Sequence, residues 1–62
     1  MTREEIREAI SKCKDLCFLR KNGTLQRIYY RKYNWWFGND CMYIGTPSKL
    51  YEIKLEKVRV RQ

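Results

Sequence analysis

The chain of 62 residues contains no histidine, a single proline, three glycines and only seven acidic residues against fourteen basic ones. Each shortage removes a class of activity. Without histidine, the commonest general base and metal ligand is missing. Gly23, Gly38 and Gly45 are too scattered to form the glycine-rich run that wraps a phosphate. Cys13, Cys17 and Cys41 are an odd number of cysteines. The opening Met-Thr-Arg-Glu-Glu lacks the basic and then apolar segments of a secretory signal, so the three read as reduced thiols rather than a disulfide framework. Zinc usually takes four ligands, and three cysteines with no histidine fall short of that. A thiolate nucleophile wants a neighbouring base or a helix N-terminus. Cys13 and Cys17 fall late in an expected helix, and Cys41 stands between Asp40 and Met42. No apolar run approaches the roughly 20 residues that span a bilayer. The chain therefore reads as cytoplasmic, without membrane, metal or cofactor, and as not an enzyme.

What is present is charge and aromatic surface. The net charge of +7 is unevenly distributed. Through Asp15, Arg3, Arg7, Lys12 and Lys14 are balanced by Glu4, Glu5, Glu8 and Asp15, whereas the remainder sets ten basic residues against Asp40, Glu52 and Glu56. A field of one sign on one part of a molecule attracts polyanions and speeds their association. It also keeps a small protein soluble, and charge alone does not separate the two roles.

Residues 1–62 read as a single small α+β domain. Thr2-Arg3-Glu4-Glu5 has the form of a capping box, which predicts a helix starting there. Ile6, Ile10, Cys13 and Cys17 then recur at helical spacing, with Ala9 and Leu16 beside them, as one apolar stripe about four turns long. Glu8 and Lys12 form a favourable i,i+4 pair. From Phe18 the pattern changes to a strand that runs into Asn22-Gly23, a hairpin signal. A second turn is predicted at Phe37-Gly38-Asn39-Asp40. If Gly38-Asn39 is its two-residue loop, Trp35 lies across from Met42 and Tyr33 from Ile44. Pro47 ends that third strand by Thr46. In the fourth, Tyr51, Ile53 and Leu55 alternate in one parity and Val58 and Val60 in the other, which predicts a bulge, bend or break near Glu56-Lys57.

The central strand is expected over residues 26–37, which hold Tyr29, Tyr30, Tyr33, Trp35, Trp36 and Phe37 and are interrupted by neither proline nor glycine. Its parity is a difficulty, because aromatic residues fall on both faces. Arg27, Tyr29, Arg31, Tyr33 and Trp35 occupy one face in basic and aromatic alternation, which suits bases stacking on rings while arginines meet phosphates. Those rings equally suit a core against the helix, with arginine stems reaching to water. Since a helix covers only one sheet face, either Ile28, Tyr30 and Trp36 or Tyr29, Tyr33 and Trp35 would be left exposed. A homodimer is expected to cover them, the other outcome being a monomer that offers the patch to its partner.

The predicted architecture is an N-terminal amphipathic helix packed on a twisted antiparallel sheet of three to four strands, with a small, partly closed barrel as the alternative. Asn34-Trp35-Trp36-Phe37-Gly38-Asn39 does not reproduce the motifs of cold-shock barrels, and the RNP1 pattern of RNA-recognition motifs is absent. In size and composition the chain is similar to very small proteins of phages and mobile elements. The functional expectation is a basic binding module for nucleic acid or a nucleoprotein. Its site would comprise Arg27, Arg31, Lys57, Arg59 and Arg61 on phosphates, with Tyr29, Tyr33 and Trp35 as stacking surfaces. The alternative is a protein-binding inhibitor or adaptor of phage or mobile-element type, such as an anti-defence protein, that occupies an acidic or nucleic-acid-binding surface of a larger host complex.

Overall fold

A computed structural model describes residues 1–61 of the chain. The capping box is in place: Thr2 Oγ1 accepts from the Glu5 amide at 3.1 Å and Glu5 Oε1 accepts from the Thr2 amide at 2.8 Å. Helix α1, Arg3–Ser11, follows, and its Glu8–Lys12 pair closes at 3.0 Å. The helix is shorter than the apolar stripe predicts. Cys13 adopts φ of 57°, and the Lys14 and Cys13 amides turn back to the Ala9 and Ile10 carbonyls, each at 2.9 Å. This left-handed closing turn satisfies carbonyls the helix would otherwise leave open. Cys13 is consequently exposed and Cys17 belongs to a strand. Among the described residues, no helix is long and apolar enough to cross a membrane.

Among the described residues six strands follow, β1 (Leu16–Leu19), β2 (Leu25–Ile28), β3 (Asn34–Phe37), β4 (Cys41–Thr46), β5 (Lys49–Lys54) and β6 (Val58–Val60). They form two antiparallel three-stranded sheets, ordered β2-β1-β6 and β3-β4-β5. The chain is α+β, but the expected single sheet is two. The uninterrupted central strand is the main correction. After Ile28 the chain turns, with the Lys32 and Tyr33 amides both donating to the Tyr29 carbonyl at 3.1 Å, and resumes as β3 in the other sheet. This turn resolves the parity difficulty. Before and at the start of it the even positions Ile28 and Tyr30 are buried; after it the odd positions Trp35 and Phe37 pack against the core. Aromatic residues fell on both faces because the chain changes sheets, and therefore faces, in the middle of the run.

The hairpins agree in place and differ in detail. Asn22-Gly23 does join β1 to β2, but only Gly23 takes positive φ, and the turn closes from the Gly23 amide to the Arg20 carbonyl at 3.0 Å. The Asn22 carboxamide oxygen is drawn instead into accepting from both the amide and the hydroxyl of Thr24. Between β3 and β4 the Gly38 amide donates to the Cys41 carbonyl at 2.8 Å. The two-residue loop is therefore Asn39-Asp40, and Trp35 faces Ile44 while Phe37 faces Met42. A slip of two residues keeps Trp35, Met42 and Ile44 on the shared face predicted for them. At the β4–β5 hairpin, Gly45 has φ of +140°, and a Cβ there would collide with the Lys49 carbonyl oxygen. The parity flip near Glu56 is a 3-10 turn, Leu55–Lys57.

The core lies between the sheets. Leu16, Ile28 and Val58 from the first sheet, Met42, Ile44 and Ile53 from the second, and Ile6 and Ala9 of α1 are buried in one cluster. The helix is anchored near the Cys41–Lys54 end of the second sheet. There the Met1 ammonium donates to the Leu55 carbonyl at 2.8 Å, Arg3 donates to the Asn39 carbonyl at 2.6 Å, and the Arg7 guanidinium lies over the Phe37 ring at 5.1 Å. The opposite end, at Thr46 and Lys49, is left open.

Tyr30 ties the sheet-crossing turn to the end of the helix, its hydroxyl donating to the Lys14 carbonyl at 2.6 Å. Burial pushes its pKa above the ordinary tyrosine value, because a phenolate would be poorly solvated there, and the nearby charge of Arg31 only partly offsets this. The folded form therefore holds this proton more tightly than the unfolded chain does. The contribution is complete below about pH 10, the unfolded value, and is lost as pH rises through the higher folded value. Tyr30→Phe is expected to lower the urea midpoint at pH 7, the orphaned carbonyl costing roughly 1–3 kcal/mol of stability. The same variant should show a shallower loss of stability than the parent between neutral and alkaline pH. Parallel alkaline slopes for the two proteins would refute this role.

Candidate nucleic-acid interface

Strand alternation puts Arg27 and Arg59 on the face of the first sheet that points away from the core, each directly opposite Cys17. Cys17 itself is only 3% exposed. On an outward face, long arginine stems to either side can provide such cover. Arg61 joins them, lining a small cleft with Cys17, Leu25 and Arg27. Three of the predicted phosphate-contacting residues thus share one surface.

Asp15 organises the edge of that surface. Its Oδ1 accepts from Arg27 Nη2 and Arg31 Nη1, both at 3.1 Å. The Arg31 hydrogen bond, aided by the charge and hydrogen bond of Arg27, holds the Asp15 carboxyl below the usual aspartate value. Arg31 is committed further. It donates to the Cys13 carbonyl, the residue that closes the helix, and lies 4.7 Å over the Tyr30 ring. It is therefore less free to meet a ligand than its place in the sequence implies. Arg59 folds back to donate to the Glu56 and Val58 carbonyls at 2.6 and 2.9 Å.

A groove of about 540 Å³ opens between the sheets at the end away from the helix contacts. Phe18, Ile28, Ile44 and Ile53 form its apolar lining, joined by Tyr29, Tyr33 and Tyr51, while Arg27 and Lys49 contribute charge. The three tyrosines are 48%, 39% and 49% exposed. Arg27 lines both this groove and the outer cleft, so the two surfaces meet at β2.

Of the eight predicted site residues, Arg27, Tyr29 and Tyr33 come together in the groove, while Arg59, opposite Cys17, and Arg61, in the outer cleft, belong to the outward face of the first sheet. Arg31 touches this group through Asp15. Trp35 is corrected: it packs edge-on against Phe37, ring centroids 5.2 Å apart, beside the core cluster. It belongs to β3, beyond the turn, so it does not share a face with Tyr29. Lys57 is exposed on the 3-10 turn and lines neither surface. Sequence reasoning missed Tyr51 and Lys49. Their signal was the Pro47-Ser48 hairpin, whose register sets Tyr51 opposite Ile44 and Lys49 opposite Thr46. Among the described residues, no group of three or more His, Cys, Asp or Glu side chains converges as a metal site.

Comparison of the chain with protein-family models, with curated proteins and with solved structures found no match.

Proposed function

We propose that the protein is a non-enzymatic nucleic-acid-binding module that engages the polyanion with Arg27, Arg59 and Arg61. The observation that carries this reading is that Arg27 belongs both to a basic outer face and to a tyrosine-lined groove. A phosphate chain held on the arginines would lie within reach of ring surfaces, the combination that sequence-independent binders use. Asp15 compensates part of the charge, but it is a single carboxylate between two guanidinium groups, and a phosphate can replace it. Binding of a fluorescent oligonucleotide, followed by anisotropy, should weaken linearly on a log–log plot against salt, with a slope of about −0.7 to −0.9 per phosphate contacted. Absence of binding at low ionic strength would refute the proposal.

A second reading, a protein-binding inhibitor or adaptor, is favoured by one feature. Strand β2 is an edge strand, and its Leu25 is 62% exposed beside Arg27. Such an edge can accept a strand from a protein whose acidic side chains meet the arginines. Recovery of one stoichiometric protein after nuclease treatment, without bound RNA or DNA, favours this reading over the first.

A further inference from the structure

We propose that the inter-sheet groove is a pocket for one unstacked nucleobase, which makes the interface selective for single strands over duplex. This deepens the nucleic-acid reading and rests on it.

The groove's chemistry narrows its occupant. It is apolar at its base and aromatic at its walls, and among the described residues no carboxylate lines it. Each tyrosine already has a cation of this chain near its ring: Arg27 at Tyr29 (5.6 Å), Lys32 at Tyr33 (5.6 Å) and Lys49 at Tyr51 (5.7 Å). A cationic ligand would find rings already shared with cations and no counter-charge. A flat ring carrying an adjacent anion fits both features, since it stacks on tyrosine while its phosphate meets Arg27 or Lys49. The volume falls within the roughly 300–1,000 Å³ typical of small-ligand pockets. Polar groups for a base edge are also present. Gln26, Thr46 and Ser48 line the groove, and the Thr46 and Ser48 hydroxyls lie 3.1 Å apart. The position of Arg27 in both surfaces lets the phosphates on either side of the inserted base continue toward Arg61 and Arg59. A paired base inside a duplex cannot enter such a groove without being extruded.

The test uses the whole chain and four probes of equal length: oligo(dT), oligo(U), an abasic deoxyribose strand, and oligo(dT) annealed to oligo(dA). At low salt, the base-bearing single strands should bind more tightly than the abasic strand and the duplex. The ratio of oligo(U) to oligo(dT) affinity identifies whether RNA or DNA is the better occupant. Tyr29→Ala and Tyr51→Ala should each weaken oligo(dT) binding by roughly five- to 150-fold, the range for one lost stacking partner. Abasic-strand binding should hardly change. Tyr29→Phe and Tyr51→Phe, which keep the ring, should retain most of the affinity. Should the alanine variants fail to fold, photocrosslinking of an iodouracil-containing strand to the parent protein supplies the answer, with adducts expected at Tyr29, Tyr33 or Tyr51. Equal affinity for abasic and base-bearing strands, or adducts confined to other residues, would overturn the pocket while leaving nucleic-acid binding in place. Failure of all four probes to bind at low salt would overturn both.

Discussion

Replacing Arg27, Arg59 and Arg61 together by Gln should flatten the salt dependence of oligonucleotide binding by roughly 2–3 units of log–log slope, because each lost phosphate contact removes about 0.7–0.9. Affinity at low salt should fall by orders of magnitude. The expectation follows from geometry rather than from net charge. Arg27 and Arg59 are both paired with Cys17 across the first sheet, and Arg61 lines the cleft beside them. Arg31→Gln is the informative contrast, since Arg31 is held by Asp15, the Cys13 carbonyl and the Tyr30 ring. That variant should change thermal stability more than slope. Comparable slopes for the parent and the triple variant, with both folded by circular dichroism, would place the polyanion elsewhere or remove it.

The second large effect concerns Leu16, which is fully buried and lies between Ile28 and Val60 in the first sheet. Leu16→Ala should cost about 2–5 kcal/mol, as for other large-to-small changes in a packed core. For a domain of this size, total stability at roughly 0.05–0.15 kcal/mol per residue is of the same order. A large unfolded fraction at 25 °C is therefore expected, and urea titration followed by tryptophan fluorescence measures it. A loss below about 1 kcal/mol would mean that the two sheets close around the missing volume, against the limited relaxation usual in cores.

Leu16 also marks the limit of what could be read from the residues. The helix start was legible because Thr2 and Glu5 interact locally, and the break near Glu56 was legible as a change of parity. The helix end was not. It depends on Cys13 taking a left-handed conformation that carries no glycine or asparagine as a signal, and on Arg31, distant in sequence, donating to the Cys13 carbonyl. The stripe through Cys17 looked helical because Ile6, Ile10, Cys13 and Cys17 recur at helical spacing with Leu16 beside them, yet Leu16 and Cys17 are buried from opposite sides of a strand. Residues 26–37 contain a turn without any proline or glycine, held by the Tyr30 hydroxyl and the Tyr29 carbonyl. Aromatic residues on both parities were the one visible trace of it. The candidate site was legible as basic and aromatic content. Its partition into a groove and an outer face was not, because that depends on which sheet each half of the run joins.

The pairing of β1 with β6 also bears on how the protein is made. Leu16 and Phe18 precede their partners Val60 and Val58 by the whole of the second sheet. The β1–β2 and β3–β4–β5 hairpins can form as each emerges from the ribosome, but the first sheet lacks its third strand until the second sheet and the 3-10 turn have been made. Until then one edge of β1 has no hydrogen-bonding neighbour and Leu16 lacks part of its cover. A nascent chain stalled in the 3-10 turn would present that edge to chaperones or to other nascent chains on the same message.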